Sequence, residues 1–149
     1  MGSGTDPTKL GRWCWTRYCG LNDTHFCLFS VYCPNHNTAG QLSVYAQHRK
    51  YLQDHNGDCD PITAFFEDLA KTISECQALG NLDVVCGNIN HIILNPTITN
   101  IFHHLGLRHL IFSKHDPVGA PATYAQNQRN VSFDGVWGPY DITMVKVVT

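Results

Sequence analysis

Asn88 and Asn90 stand one residue apart at the end of the run Leu82-Asp83-Val84-Val85-Cys86-Gly87. Alternate residues of a strand project from the same face. If the strand continues through Asn90, two carboxamides share one face at its mouth, and Gly87 lets another backbone or a ligand approach closely. Carboxamides donate and accept hydrogen bonds, but they have no basic lone pair at neutral pH and bring no negative charge to a divalent cation. Tyr32 and Asn35 follow a second apolar run, in Ser30-Val31-Tyr32-Cys33-Pro34-Asn35, and Asp134 lies in Phe133-Asp134-Gly135-Val136. Each has a plain structural alternative: an aromatic core residue for Tyr32, a turn former for Asn35, a turn or cap acid for Asp134.

Cysteine and histidine are the other groups with chemistry to offer. The seven Cys are an odd number, so at least one thiol stays unpaired under any intramolecular scheme. Cys27, Cys76 and Cys86 sit in apolar runs and read as buried free thiols. A Cys/His metal-binding module is a rival reading, since structural zinc takes ligands paired at short spacing. Its candidates are Cys14 with Cys19, and His103, His104 and His109. Strand geometry sets Cys14 and Cys19 on opposite faces, and adjacent His103 and His104 diverge by about 100° on a helix, which counts against it. His91 follows the Asn88/Asn90 pair and reads as a surface-loop residue.

These groups need elements to hold them. Residues 11–18 and 25–33 are aromatic-rich runs separated by Cys19-Gly20-Leu21-Asn22-Asp23, a hairpin signature. The pattern predicts a helix over 41–53, with Leu42, Tyr45 and Leu52 or Val44, His48 and Tyr51 as competing faces. A second helix is clearer: Asp60 caps it, Pro61 fills its first position, and Ile62, Phe65, Phe66, Leu69 and Ile73 form one apolar stripe that Gly80 ends. Residues 82–86 read as a strand covered on both faces. A shorter helix follows over 97–105, then strands over 108–112 and 131–136. Helices between strands predict an α/β sheet. Residues 1–10 read as a linker or tail, and 11–149 as one domain.

At 149 residues the chain is long enough for one domain with a core, and its 43% hydrophobic and 11% aromatic content is that of a globular protein. A formal net charge of -2 leaves no basic field for non-specific nucleic-acid binding. Any such contact is local, with Arg108, Lys114 and Arg129 as the candidates. The sequence carries no signal-peptide pattern and no stretch of roughly 18 apolar residues, so a membrane role is not expected and an intracellular setting is.

The order of the pieces resembles the endonuclease/exonuclease/phosphatase superfamily of phosphodiesterases, and within it the retroelement-like and abasic-site endonucleases. The succession runs from Ser30–Asn35 through an amphipathic helix to Gly87-Asn88-Ile89-Asn90, then Leu105-Gly106-Leu107-Arg108, Ala122-Thr123-Tyr124 and Phe133-Asp134-Gly135-Val136. It covers roughly residues 11–138.

The resemblance implies a two-sheet α/β sandwich, of which this chain holds part, and divalent-metal-dependent hydrolysis of a phosphodiester, with nucleic acid as partner and Mg²⁺ or Mn²⁺ as cofactor. It assigns catalytic positions to Asn88, Asn90, Tyr32, Asn35 and Asp134; Arg108 and Arg129, from the basic residues named above, are the candidates for substrate contact. In the family pattern Gly-Asp-x-Asn the Asp orients or deprotonates the attacking water, and the Asn holds a phosphate oxygen or the metal's water shell. Asn90 matches that Asn, whereas Asn88 stands where the Asp belongs. The family's metal-binding Glu lies upstream of anything here, and no His follows Asp134 where its catalytic His belongs. The implied function is a nuclease-type domain fragment impaired in catalysis, with the metal poorly held. The alternative is a non-catalytic binding or structural descendant of the same fold. A partial sandwich also implies an uncovered apolar sheet face, hence self-association or pairing with a missing N-terminal segment.

Overall fold

Trp13–Cys19 (β2) and His25–Tyr32 (β3) form the expected antiparallel hairpin, with Asn22 in a left-handed conformation at its turn. The computed structural model describes residues 2–36, 40–115, 122–126 and 129–142, without the side chains of Asn56, 124–126 and 129–131. A short strand, Ser3–Thr5 (β1), precedes the hairpin, and Leu82–Asn88 (β4) runs parallel to β3. A parallel pair needs a crossover, made here by helices Val44–Asn56 (α1) and Pro61–Ala78 (α2). Pro96–His104 (α3), Leu107–His109 (β5) and Leu110–Lys114 (α4) follow. Tyr124–Gln126 (β6) pairs with Arg129–Val131 (β7), and Asp134–Pro139 (β8) closes the described chain. The main sheet has the order β1-β2-β3-β4-β8-β5. The fold is α/β, as the sequence implies.

Local chemistry explains the clear elements. Asp60 accepts hydrogen bonds from the Ile62 and Thr63 amides and Pro61 opens α2, so the cap read from sequence is the one that forms. Phe65, Phe66, Leu69, Ile73 and Cys76 on α2, with Ile98 and Phe102 on α3, bury one sheet face carrying Trp13, Cys27, Phe29, Val31, Val85 and Trp137. In α1 the buried face is Tyr45, His48 and Leu52, drawn from both competing stripes. The other sheet face leaves Tyr18, Leu28 and Tyr32 at 40%, 37% and 42% exposure, so no second layer of described residues covers it there. Among the described residues no helix is long and apolar enough to cross a membrane.

The structure corrects three readings. Residues 2–10 are not a tail: β1 pairs with β2, and Asp6 is buried, accepting from the Arg12 guanidinium at 2.7 Å while Arg12 also reaches Asp68 of α2 at 2.7 Å. The strand expected over 108–112 stops at His109, whose ring nitrogen accepts the Phe112 amide and caps α4. The strand expected over 131–136 is broken at 132–133, where the Thr123 hydroxyl accepts the Phe133 and Asp134 amides.

Candidate phosphodiester site

Three of the residues singled out from sequence lie in one row across three adjacent strands. Tyr32 on β3 is the register partner of Asn88 on β4, and Asn88 is the register partner of Asp134 on β8. With neighbouring strands about 4.8 Å apart, their Cα atoms span about 10 Å. Directly partnered residues on one sheet point to the same side, so a phenol, a carboxamide and a carboxylate share the open face. Tyr32 and Asp134 are exposed and Asn88 is half-buried.

Close packing of backbones makes the row possible. Gly87, at φ 148°, lies against the Val31 main chain, and a Cβ there would collide with the Val31 carbonyl. The Cys33 amide donates to the Asn88 carbonyl at 2.9 Å, extending the β3–β4 ladder one step past Tyr32.

Asn90 does not share the face of Asn88. The strand ends at Asn88 and Asn90 adopts φ 52°, a left-handed conformation that asparagine tolerates better than most residues. The Asn88 side-chain oxygen accepts the Asn90 amide at 2.7 Å, and Asn90 Nδ2 donates to the Cys33 carbonyl at 2.7 Å. This is an Asx-type turn, in which side chains replace the ladder where the strand stops. It occupies the Asn88 oxygen and leaves the Asn88 Nδ2 hydrogens as the groups to face a ligand. Ile89 between them is fully buried.

The remaining candidates are scattered. Asn35 lies exposed beyond the end of β3. Arg108 partners Gly138, four residues along β8 from Asp134 and so about 13 Å from the row. Its guanidinium donates to the Ile142 carbonyl and stacks over Tyr140. The side chain of Arg129 lies outside the described residues. His91 lines a groove of about 500 Å³ between α2 and α3, where burial lowers its basicity. Cys14 and Cys19 are exposed, His103 and His104 are exposed, and His109 is pushed down to about 4 by burial against Trp137 and Phe112. These five do not form a metal-ligand cluster.

One basic residue beside the row escaped the sequence reading. Tyr32 lines a cavity of about 460 Å³ together with Lys9, Gly11, Cys14 and Ser30. Lys9 is exposed and held at φ 62° in the turn after β1, where the Asp6 carbonyl accepts its amide. Burial opposes ionisation of Asp6, but the hydrogen bonds from Arg12 and Thr8 outweigh it and hold its carboxyl below the usual range. The spacing of Asp6 and Arg12 across a Gly-containing turn was the available signal.

No family model and no curated relative matches the chain. Solved structures do. The human Nocturnin catalytic domain with bound sulfate anion superposes with a TM-score of 0.59 at 13% identity, covering 94% of this chain and 47% of that one. The Xenopus laevis APE2 catalytic domain gives a TM-score of 0.52 at 14% identity, covering 87% of this chain and 46% of that one. Both have the endonuclease/exonuclease/phosphatase fold, and the fold of this chain is of that type. The chain spans about half the length of these structures.

Proposed function

We propose that this chain is a phosphodiesterase-type domain that holds a phosphodiester of nucleic acid at the Tyr32–Asn88–Asp134 row and is impaired in hydrolysing it. The observation that carries the reading is the row itself, which aligns residues from three separate sequence motifs on one open face. The Tyr32 hydroxyl and Asn88 Nδ2 donate to non-bridging phosphate oxygens, and Lys9 offers a positive charge from the adjoining cavity. The sulfate in the Nocturnin catalytic domain supports the class of ligand, since sulfate and phosphate are alike in size and geometry.

The residues present do not fit the divalent cation that the family resemblance implies. Mg²⁺ takes octahedral oxygen ligands with carboxylates among them. The row supplies one exposed carboxylate, Asp134, beside a neutral carboxamide whose oxygen already accepts the Asn90 amide. No step through a metal is assigned to it. Nor does Asn88 offer a base for water, and general-base catalysis contributes typically 10²–10⁴-fold. A purely binding descendant of the fold is the second reading, favoured by that engaged Asn88 oxygen. The two differ in whether an acid at position 88 recovers cleavage.

Calorimetric titration with short 5′-phosphorylated DNA and RNA oligonucleotides tests the binding. Hydrogen bonds to a charged group contribute about 1.5–3 kcal/mol, so Tyr32→Phe is expected to weaken binding by roughly tenfold or more. Lys9→Gln should weaken it similarly and flatten its salt dependence. Both residues are exposed, so unfolding midpoints should stay unchanged. Absence of binding, or binding indifferent to both substitutions, contradicts the proposal.

A further inference from the structure

A second group of reactive side chains lies at the other end of β4, in the core. Asp83 on β4 and Cys27 on β3 are register partners facing α2, where Cys76 meets them. The two sulfurs and a carboxylate oxygen all lie within 4.8 Å of one another. Cys27 and Asp83 are fully buried and Cys76 nearly so. Along the strand Asp83 is five residues from Asn88, about 16 Å, so this cluster is separate from the row described above.

Asp83 is the anomaly. Neither of its carboxylate oxygens has a hydrogen-bond partner among the described residues. A buried charge is costly unless it is paired or coordinates a metal. The other deeply buried acid, Asp6, is answered by Arg12 and Thr8. Its near neighbours are the two thiols; Asn81, two residues before it, donates through Nδ2 to the Cys76 carbonyl and has a buried oxygen without a partner among the described residues. Electron-pair donors thus converge with no cation bonded to the carboxylate among the described residues.

We infer that Cys27, Cys76 and Asp83 form a buried site for a thiophilic divalent cation of the zinc class, with Asn81 Oδ1 as candidate fourth ligand. Tetrahedral zinc at about 2.3 Å from sulfur and 2.0–2.2 Å from oxygen sets its ligand atoms roughly 3.5–3.8 Å apart, which small side-chain rotations supply here. Two thiolates select zinc over magnesium or calcium. Two thiolates, one carboxylate and Zn²⁺ sum to one negative charge. Arg17, the register partner of Cys27 on β2, sits beside them with a buried Nε that has no partner. Each thiol gives up its proton on binding, so occupancy releases at least two protons and strengthens with pH. Burial pushes the Cys76 thiol up to about 12 and Asp83 up to about 7 when no cation is present.

Titration of the reduced full chain with Co²⁺ and then Zn²⁺ tests this. One equivalent of Co²⁺ should bind with a thiolate-to-cobalt charge-transfer band in the near ultraviolet, and Zn²⁺ should displace it and raise Tm. Cys27→Ser and Cys76→Ser should abolish the band. Because a serine in the core can prevent folding, Asp83→Asn provides the independent check: it keeps shape, removes charge, and should bind Zn²⁺ at least tenfold more weakly while remaining folded. Cys14→Ser and Cys19→Ser, at exposed positions, should leave binding unchanged. Failure to bind a stoichiometric equivalent overturns the proposal. So does undiminished binding by Asp83→Asn, loss of the equivalent in Cys14→Ser or Cys19→Ser, or a native Cys27–Cys76 disulfide.

Discussion

Asn88 lies directly opposite Asp134 across the antiparallel β4–β8 ladder, one step outside the glycine pair Gly87 and Gly135. Side chains at directly opposed positions have Cβ atoms about 5 Å apart. A carboxamide beside a carboxylate is electrostatically quiet there. Two carboxylates would repel each other unless a cation sat between them.

Asn88→Asp therefore converts a neutral pair into a cation-dependent one. Without divalent ions the variant is expected to be less stable than the native chain by a few tenths to about 1 kcal/mol, the scale of an exposed like-charge pair. Millimolar Mg²⁺ or Mn²⁺ should raise its Tm and leave the native Tm unmoved. Thermal denaturation of both proteins with and without chelator checks this. An equal response of the two would show that position 88 does not face Asp134 in solution.

The buried Asp83 carboxylate should make metal-free stability depend on pH. Its folded-state pKa is raised by burial to about 7, against an ordinary 3.8. Below about pH 4 both states are protonated and there is no penalty. Between about 4 and 7 the unfolded chain ionises while the folded chain does not, so the folded state loses about 1.4 kcal/mol per pH unit; above 7 the loss is constant. Asn cannot ionise, so Asp83→Asn should match the native chain near pH 4 and exceed it by a few kcal/mol at pH 7.5. Urea unfolding in chelator at the two pH values measures the difference. A difference independent of pH would mean that Asp83 is partnered.

The Arg12 guanidinium ties β1 and α2 to the hairpin. Removing one partner of a buried pair leaves the other charge uncompensated and typically costs about 3–5 kcal/mol. Arg12 keeps Asp68 as a partner, so Asp6→Ala should lower the unfolding free energy measured in urea by the lower end of that range and open residues 2–10 to proteolysis. A loss below about 1 kcal/mol would mean that the N-terminal strand contributes little.

The hairpin, α2 and α3 were legible because their signals are local: turn residues at 19–23, a cap and proline at Asp60 and Pro61, and an apolar stripe at helical spacing. β1 was not. Three polar residues become a strand only because β2 pairs with them, and Asp6 is buried only because Arg12 folds back upon it. The row Tyr32, Asn88, Asp134 could be named from motif order, but its alignment rests on strand register, which sequence does not print. The placement of Asn90 was not legible for a related reason. Alternation places it on the face of Asn88 only if the strand continues, and the Asx turn ends the strand one residue too soon. The Asp83 cluster joins a residue of α2 to two strands, a meeting that spacing along the chain does not reveal.

Cleavage of a nicked or abasic duplex in Mg²⁺ or Mn²⁺, by the native chain and by Asn88→Asp side by side, is the most direct measurement. The native chain should cleave no faster than the protein-free control. Asn88→Asp should cleave measurably faster than the native chain, in a reaction that chelator abolishes. A native chain that cleaves above the protein-free control, or as fast as Asn88→Asp where that variant cleaves, would contradict the assignment of the missing base to position 88.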